Sequence, residues 1–295
     1  MDAILSSLGF GIVTAAVLAP AAIGFTLQFS ATNVLNIAFG SQMTLAAFIA
    51  YELSIAGVDI WVALVVAGVF GAVTSVLLNR GLLMPMRRRG TTFFGMIVAT
   101  IALALVVEYG IELIWGPGSF HYSYTEGKAL HLGAVLITPA QIVIVGISVA
   151  VMVAVHVLLR HTKVGRAMRG TSVNDRLARA CGIPTQRIID VAWGVSGGLG
   201  GIAGVMLAMS LSSLSFNMGD TFLLEIIAAA ILGGIGSSYG AMIGAFIIGI
   251  VLEESALVLS GAYAPISAFA ILILVLLVRP TGIAGGAAKV KGVAA

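Results

Sequence analysis

Charged residues and cysteine are scarce in this sequence, and long stretches of it have no ionisable side chain. Only 9% of the 295 residues are Asp, Glu, Lys or Arg, whereas 60% are hydrophobic. Residues 3–51 contain no acidic residue, no basic residue and no histidine. Because globular domains carry about 25% charged residues, this composition excludes an ordinary soluble domain.

Motifs for catalysis, metal binding or disulfide formation are also missing. Cys181 is the single cysteine, which excludes an internal disulfide, and no cysteine or histidine pair has the spacing of metal ligands. The chain contains no G-x-x-x-x-G-K-[ST] sequence and therefore no P-loop of its own. We expect neither an enzyme nor a cofactor site in this chain. The net charge of +3 follows from membrane topology and does not indicate nucleic-acid binding.

The apolar stretches have the length of membrane-spanning helices. A straight helix over residues 3–51 would measure about 73 Å, more than twice the bilayer core of about 30 Å, so this segment must fold back. Further runs without Asp, Glu, Lys or Arg cover residues 60–79, 90–107, 129–159, 191–219, 226–252 and 255–278. We predict an all-α fold, a polytopic helical bundle with about eight or nine membrane crossings.

Basic residues indicate the orientation of this bundle. Of the 15 Lys and Arg residues, all except Lys128 fall within three clusters at 80–89, 160–187 and 279–291. The positive-inside rule places these clusters in the cytoplasm. The predicted crossings are roughly 8–28, 33–53, 60–79, 92–115, 139–160, 188–210, 222–236, 240–258 and 263–278. Because the number of crossings is odd and the last basic cluster is cytoplasmic, the N-terminus lies outside and the C-terminus lies in the cytoplasm.

We predict a single domain, 1–295, with an external loop at 116–138. A cytoplasmic loop at 161–187 and a cytoplasmic tail at 279–295 complete the layout. In an alternative layout, the stretches after residue 29 and around residue 236 are re-entrant segments that do not cross the membrane.

The second basic cluster predicts a short helix. Ser172 and Asp175 form a start that resembles a capping box, and Gly182 followed by Pro184 is a typical helix end. We therefore predict a helix over residues 173–181.

One face of that helix is apolar. Val173, Leu177 and Cys181 share this face, and Asp175 and Arg179 are spaced to form an ion pair. So short a helix is only marginally stable alone in water and needs a surface to dock on. Two surfaces fit equally well on these grounds: anionic lipid head groups, or a socket on a cytoplasmic partner.

Glycine is concentrated late in the chain, at 194–204 and 232–249. Small residues at three- and four-residue spacing are typical of closely packed helices. A broken helix near 236–238, whose unpaired backbone groups line a cavity, is the alternative. The sequence shows no internal repeat.

Several stretches resemble the permease subunits of branched-chain amino acid ABC importers, of the LivH type. These are NVLNIAFGSQMTLAAFIAY (33–51), LIWGPGS (113–119), VGRAMRGTSVNDRLARACGI (164–183), AAAILGGIGSSYGAMIGAFIIGIVLE (228–253) and LLVRPTG (276–282). Family members usually have His and then Glu where this chain has GSQ (40–42). Gly170 and Thr171 stand where the family commonly has Ala.

The resemblance implies that the 173–181 helix is a coupling helix, which enters a groove on a separate ATP-hydrolysing subunit. ATP and Mg would then be used by partner subunits and not by this chain. The implied coupling residues are Arg169, Val173, Asp175, Arg176, Leu177, Arg179 and Gly182.

The resemblance also implies a set of partners in the bacterial inner membrane. They are two P-loop ATPase subunits (LivG/LivF-like), a second, LivM-like permease, a periplasmic or lipid-anchored substrate-binding protein, and membrane lipid.

Polar residues within the apolar stretches are candidates for the translocation path, because such residues are costly in a bilayer. Interhelical hydrogen bonding is the alternative role. At helical spacing, Asn36 and Gln42 would lie on roughly opposite faces. The candidates are Asn33, Asn36, Gln42, Gly234, Gly236 and Ser237.

The implied function is import of a small polar solute, with branched-chain or related amino acids as the expected cargo. Amides, urea and carboxylic acids are alternatives within the family. A passive channel for urea or a small amide would need no coupling helix. An ion-driven transporter would need an inverted repeat and a carboxylate near mid-bilayer.

Overall fold

The protein is almost entirely helical in the computed structural model, which describes residues 2–124, 130–132, 135–259 and 261–284. The helices are α1 (Asp2–Thr32), α2 (Phe39–Ile55), α3 (Ile60–Leu78), α4 (Met84–Arg88), α5 (Phe93–Trp115), α6 (Pro139–His161), α7 (Lys163–Val173), α8 (Asp175–Ala180), α9 (Thr185–Ser210), α10 (Met218–Gly233), α11 (Ser238–Leu259) and α12 (Ala264–Val278). A π-helical turn, Asn79–Leu83, joins α3 to α4. Before α6, strands β1 (Leu130–Leu132) and β2 (Val135–Ile137) form a small antiparallel hairpin.

Each predicted crossing coincides with a helix in the described part of the chain. Six helical segments there are long and apolar enough to cross a membrane: α1, α3 with its continuation into α4, α5, α6, α9 and α11. The helices α2, α10 and α12 are shorter, at 17, 16 and 15 residues. The prediction of a polytopic helical membrane protein is confirmed. Lys128, part of the 116–138 loop and the tail beyond residue 284 lie outside the described residues.

The segment 33–38 interrupts the second predicted crossing. Asn33 has a φ of 52°, in the left-handed region that Asn tolerates better than most residues, and α1 ends just before it. The chain then turns back, and the ring of Phe39 packs against Gly24 of α1 and Gly200 of α9. Gly24 lies about 12 Å along α1 from its end. The second helix therefore starts inside the bundle, at Phe39 and not at residue 33.

The bundle contains an internal repeat that is not visible in the sequence. The first half consists of α1, the irregular segment 33–38, the short buried α2 and the long α3. The second half repeats this order with α9, the segment 211–217, α10 and α11. Packing follows the repeat as well, because α1 packs along α11 as α9 packs along α3, and α2 packs against α10.

The two halves are inverted relative to each other. Gly71 of α3 lies against Gly197 of α9, whereas Ala67 lies against Gly201, so these helices run antiparallel. Ala15 of α1 lies against Gly249 of α11 and Ser30 lies beside Gly236, at the start of α11, so these also run antiparallel. The equivalent helices α1 and α9 also run antiparallel, because Gly24 lies against Ser196 and Leu199 whereas Ala31 packs against the cluster of Ile189 and Trp193, so the repeat has inverted topology.

The N-terminal ends of α2 and α10 meet in the core of this inverted pair. Gly40 and Gly219 lie so close that a Cβ on either one would overlap the carbonyl of the other. The hydroxyl of Thr44 accepts a hydrogen bond from the Gly219 amide at 2.9 Å. Ser41 donates its hydroxyl to the Asp220 carboxylate at 2.7 Å. The carboxylate offsets the partial positive charges of two adjacent helix N-termini.

Candidate functional site

The basic segment between α6 and α9 forms two helices where the sequence predicts one. Asn174 has an extended backbone, and its side chain caps α8 by accepting the Leu177 amide at 3.0 Å. Ser172 lies inside α7 and donates its hydroxyl to the carbonyl of Arg169 at 2.9 Å. The predicted helix start at Ser172 is therefore wrong: α7 ends at Val173, and α8 runs from Asp175 to Ala180.

The predicted end of the short helix is confirmed. Gly182 has a φ of +80°, and its amide bonds to the carbonyl of Arg179 at 2.9 Å. The Ile183 amide bonds to the carbonyl of Ala178 at 3.0 Å. These two bonds form a Schellman motif, which needs a left-handed residue at the Gly182 position.

The apolar residues of this segment are exposed. Val173 is 87% exposed and Leu177 is 62% exposed, and Cys181 is exposed beside them. Arg179 and Asp175 form the predicted ion pair on α8. We call residues 162–187 the coupling segment. Its exposed apolar side chains among basic residues are typical of a surface that binds another protein.

Two other predicted coupling residues have clear positions in this segment. Arg176 is exposed on α8. Arg169 lies on α7 and donates to the carbonyl of Leu159, near the end of α6. The first is therefore available to a partner, whereas the second fixes α7 to the preceding helix.

A buried polar cluster anchors the far end of the coupling segment. Asp190, near the start of α9, accepts hydrogen bonds from Arg80 at 2.9 and 3.0 Å and from the side-chain amide of Asn79 at 3.1 Å. Arg87 donates to the remaining oxygen of Asn79 at 3.0 Å. The π-helical turn, α4 and α9 are therefore held together at the point where the segment rejoins the bundle.

The candidate path residues near α2 differ in their surroundings. Asn36 is buried and donates to the amide oxygen of Gln28, which itself donates to Ser75 at 3.1 Å. Asn36 thus links the 33–38 segment to α1 and α3. Gln42 is only 6% exposed, and neither its amide nitrogen nor its oxygen has a partner within the described chain. Asn36 precedes α2, so helical spacing does not relate it to Gln42.

The candidates near residue 236 form a turn between α10 and α11. Gly234 and Gly236 have φ values of 103° and 96°. The hydroxyl of Ser237 accepts the Gly240 amide at 3.1 Å, and the Gly236 carbonyl accepts from Ser30 at 3.2 Å. The helix break is confirmed. Of the backbone groups that we predicted to be unpaired, the Gly236 carbonyl is paired with Ser30 and the Ser237 amide with the Gly234 carbonyl.

The path candidates therefore fall into two places. Gln42 lies one residue from the Ser41–Asp220 contact in the core, whereas Asn33 and the 234–237 turn lie near the end of α1. Sequence reasoning did not identify Ser41, Asp220, Gln28 or Asp190. Ser41 lies within the GSQ departure (40–42), but the sequence alone did not indicate its contact with Asp220. Nothing in the sequence pairs Asp190 with Asn79, which is 111 residues away.

Comparisons with known proteins agree with this architecture. The family described as "Branched-chain amino acid transport system / permease component" matches residues 7–278. The LivH high-affinity branched-chain amino acid permease of Escherichia coli K12 is 29% identical over 93% of both chains. The BraD permease of Pseudomonas aeruginosa is 28% identical over 95% of both.

Two further comparisons extend the similarity. The ribose import permease RbsC of E. coli K12 is 29% identical over 77% of this chain and 71% of its own. A solved chain described as PsaBC from Streptococcus pneumoniae in complex with Fab covers 96% of this chain, with a TM-score of 0.52 and 14% identity. That likeness is one of fold.

The fold and the site together define a multi-pass helical membrane protein of the permease class. More particularly, the chain belongs to the family of permease components of branched-chain amino acid transport systems. Members of this family are components of transporters and not enzymes.

Proposed function

We propose that this chain is a permease subunit of an ABC importer in the bacterial inner membrane. It would form, with a second permease, the path for branched-chain or related amino acids. The observation that carries the proposal is the coupling segment, whose capped, exposed and partly apolar helix α8 occurs in a chain of this family. Val173, at the end of α7, and Leu177 of α8 are exposed beside an ion pair, and family membership favours a protein groove over a lipid surface for them.

The proposed orientation places the coupling segment and α4 in the cytoplasm, with nine crossings, the N-terminus outside and the C-terminus inside. Three basic clusters on one side support it by the positive-inside rule. The short helices α2 and α10 complete their crossings together with the segments 33–38 and 211–217. One permease domain then covers the chain.

We propose that the path lies where α2 and α10 meet. Gln42 is the path residue that the structure supports best, because a buried amide without a partner among the described residues needs a ligand, water or a second subunit. Asn36 holds the α2 segment in place through Gln28. Asn33, Gly234, Gly236 and Ser237 shape the cytoplasmic end of the path.

The proposed coupling residues have two roles: some contact the ATPase, and others hold α7 and α8 in position. Val173, Arg176 and Leu177 are exposed and meet the ATPase. Asp175, Arg179 and Gly182 keep α8 in its helical conformation, and Arg169 ties α7 to α6. ATP and Mg bind to the partner ATPases, and a substrate-binding protein delivers the cargo.

The structure also has features that an ion-driven transporter would need. The halves are inverted, and Asp220 is a half-buried carboxylate at the contact between α2 and α10. Family membership together with the coupling segment favours the importer, because neither an ion-driven transporter nor a passive channel needs a docking helix. Amides, urea and carboxylic acids stay alternative cargoes.

Affinity purification of the tagged chain from its native host tests the proposal. We expect a P-loop ATPase and a second permease to co-purify, and ATP-dependent uptake of leucine after reconstitution. The double variant Arg176→Glu with Leu177→Asp should lose the ATPase. Arg89→Glu is the matched control, because Arg89 is an exposed basic residue outside the coupling segment.

The importer proposal predicts that the control keeps its ATPase. A chain that purifies alone and conducts solute in liposomes without ATP would contradict the proposal and favour the channel. An ATPase retained by the double variant would contradict the role of α8.

A further inference from the structure

A cavity of about 870 Å³ opens at the basic end of the bundle. It lies between the coupling segment, α4 and the end of α1. Its lining includes Asn33 of the proposed path and Val173, Asp175 and Arg179 of the coupling segment, but neither of those roles explains its cluster of arginines. The polar residues of its lining that matter here are Arg87, Arg88, Thr171, Asp175, Arg179 and Arg187.

Three buried polar atoms in this lining have no hydrogen-bond partner in the described chain. They are Oγ1 of Thr171, Nε of Arg87 and Oδ1 of Asp175. Thr171 is only 5% exposed. A buried polar atom left unpaired costs about 1–3 kcal/mol, so three around one cavity indicate a polar ligand.

Two of these side chains, Arg87 and Asp175, make hydrogen bonds that do not use those atoms. Arg87 donates its terminal nitrogen to Asn79 at 3.0 Å, which leaves Nε unused. Asp175 binds Arg179 through Oδ2, which leaves Oδ1 unused. Both atoms are therefore left for a ligand without breaking these hydrogen bonds.

The lining contains both signs of charge. Four guanidinium groups attract an anion, and Arg88 and Arg187 form no ion pair among the described residues. Asp175 adds the one carboxylate of this lining, and its unused Oδ1 would accept a hydrogen bond from an ammonium group, so a ligand that carries both charges can use both kinds of side chain. Met84, Val173 and Ile183 add apolar side chains to the wall.

We propose that this cavity binds a small zwitterion, with the chemistry of a free amino acid that has a short apolar side chain. The arginines bind its carboxylate, Asp175 and Thr171 bind its ammonium group, and the apolar wall contacts its side chain. The inference rests on the proposed function for two points, the cytoplasmic position of the cavity and the amino-acid cargo.

Such a site would connect the imported product to the coupling segment. Asp175 lies on α8, whereas Arg87 and Arg88 lie on α4. A ligand that spans these residues would hold α8 against the bundle. Cytoplasmic amino acid would then slow further import.

Cys181 provides a reporter for a binding test, because it is the single cysteine and is exposed just beyond α8. The full chain, labelled there with an environment-sensitive fluorophore and held in lipid nanodiscs, is titrated with L-leucine. We expect a saturable fluorescence change. Isocaproate, which lacks the ammonium group, and isoamylamine, which lacks the carboxylate, should each bind about tenfold more weakly or worse.

Two adjacent arginines give a matched pair of variants. Arg88 lines the cavity and Arg89 does not. We expect Arg88→Gln and Thr171→Val to weaken leucine binding about tenfold, and Arg89→Gln to change it less than about twofold. Because Thr171→Val keeps the side-chain shape, it tests the hydroxyl even if Arg88→Gln folds poorly.

Three results would overturn the inference. They are no response to leucine, a response that Arg88→Gln and Thr171→Val leave unchanged, and inorganic phosphate binding as tightly as leucine. Leucine uptake by the reconstituted transporter is measured separately. Uptake without this binding means that the inference alone is wrong, whereas binding without uptake means that the proposed cargo is wrong and the site stands.

Discussion

At the scale of one residue, substitution of Gln42 distinguishes a structural role from a role in transport. Its amide is buried and has no partner in the part of the chain that the structure describes, so replacing Gln42 with leucine removes two unsatisfied polar atoms and only a little volume. We expect Gln42→Leu to keep or raise thermal stability, because removing an unpaired buried polar group is nearly neutral or favourable. Leucine uptake should nevertheless fall about tenfold or more.

Thr44→Val is the control for that substitution, measured as melting temperature in detergent and uptake in proteoliposomes. The Thr44 hydroxyl accepts the buried Gly219 amide, so valine there should destabilise the protein by about 1–3 kcal/mol. Unchanged uptake by Gln42→Leu would exclude Gln42 from the path.

At the scale of an element, Gly182 determines how α8 ends. Its φ of +80° is strained for any residue with a Cβ. We expect Gly182→Ala to cost about 1–2 kcal/mol locally and to reduce ATP-coupled uptake, because α8 loses its Schellman end. Proteolysis of the coupling segment and ATPase activity stimulated by substrate measure the two effects.

Gly170→Ala is the matched control on the adjacent helix. Gly170 lies in α7, and an added Cβ would come no closer than 3.8 Å to Ile183. Alanine should therefore be neutral, or stabilising by up to about 1 kcal/mol. Equal losses in both variants would contradict the role of the left-handed residue.

The packing of α3 against α9 depends on another pair of glycines. A Cβ on Gly197 would overlap the carbonyl of Gly71 and the side chain of Ser75, whereas one on Gly198 would lie 3.4 Å from the nearest atom. We expect Gly197→Ala to destabilise the bundle by about 1–3 kcal/mol, because α3 and α9 must move apart. The melting temperature of Gly198→Ala should stay near that of the original protein. Similar melting temperatures for the two variants would contradict this close approach.

At the scale of the whole molecule, the orientation can be measured by thiol labelling. Cys181 is exposed on the coupling segment, and Ser119 is exposed in the loop after α5. A membrane-impermeant maleimide applied to intact spheroplasts should label Ser119→Cys in a Cys181→Ser background, but not the natural Cys181. Inverted vesicles should show the opposite. Labelling of Cys181 from outside would contradict the proposed topology.

The apolar runs by themselves determined the helical class of this protein and the approximate position of the helix in each predicted crossing. A span is encoded by contiguous residues, because the bilayer requires about 20 apolar residues and internally satisfied backbone groups. The end of α8 could also be predicted from the sequence, because Gly182 and Pro184 end a helix through their own backbone conformations. The coupling role came from resemblance and not from the residues alone.

Only the tertiary structure decided how those helices relate to one another. The contact of Ser41 with Asp220 joins residues 179 apart, and the inverted repeat appears only in the packing of α1 on α11 and α9 on α3. Even the start of α8 required it, because Ser172 and Asn174 are both good capping residues and the backbone bends at the second. Such pairings depend on which helix surfaces pack together, and local sequence patterns do not show that.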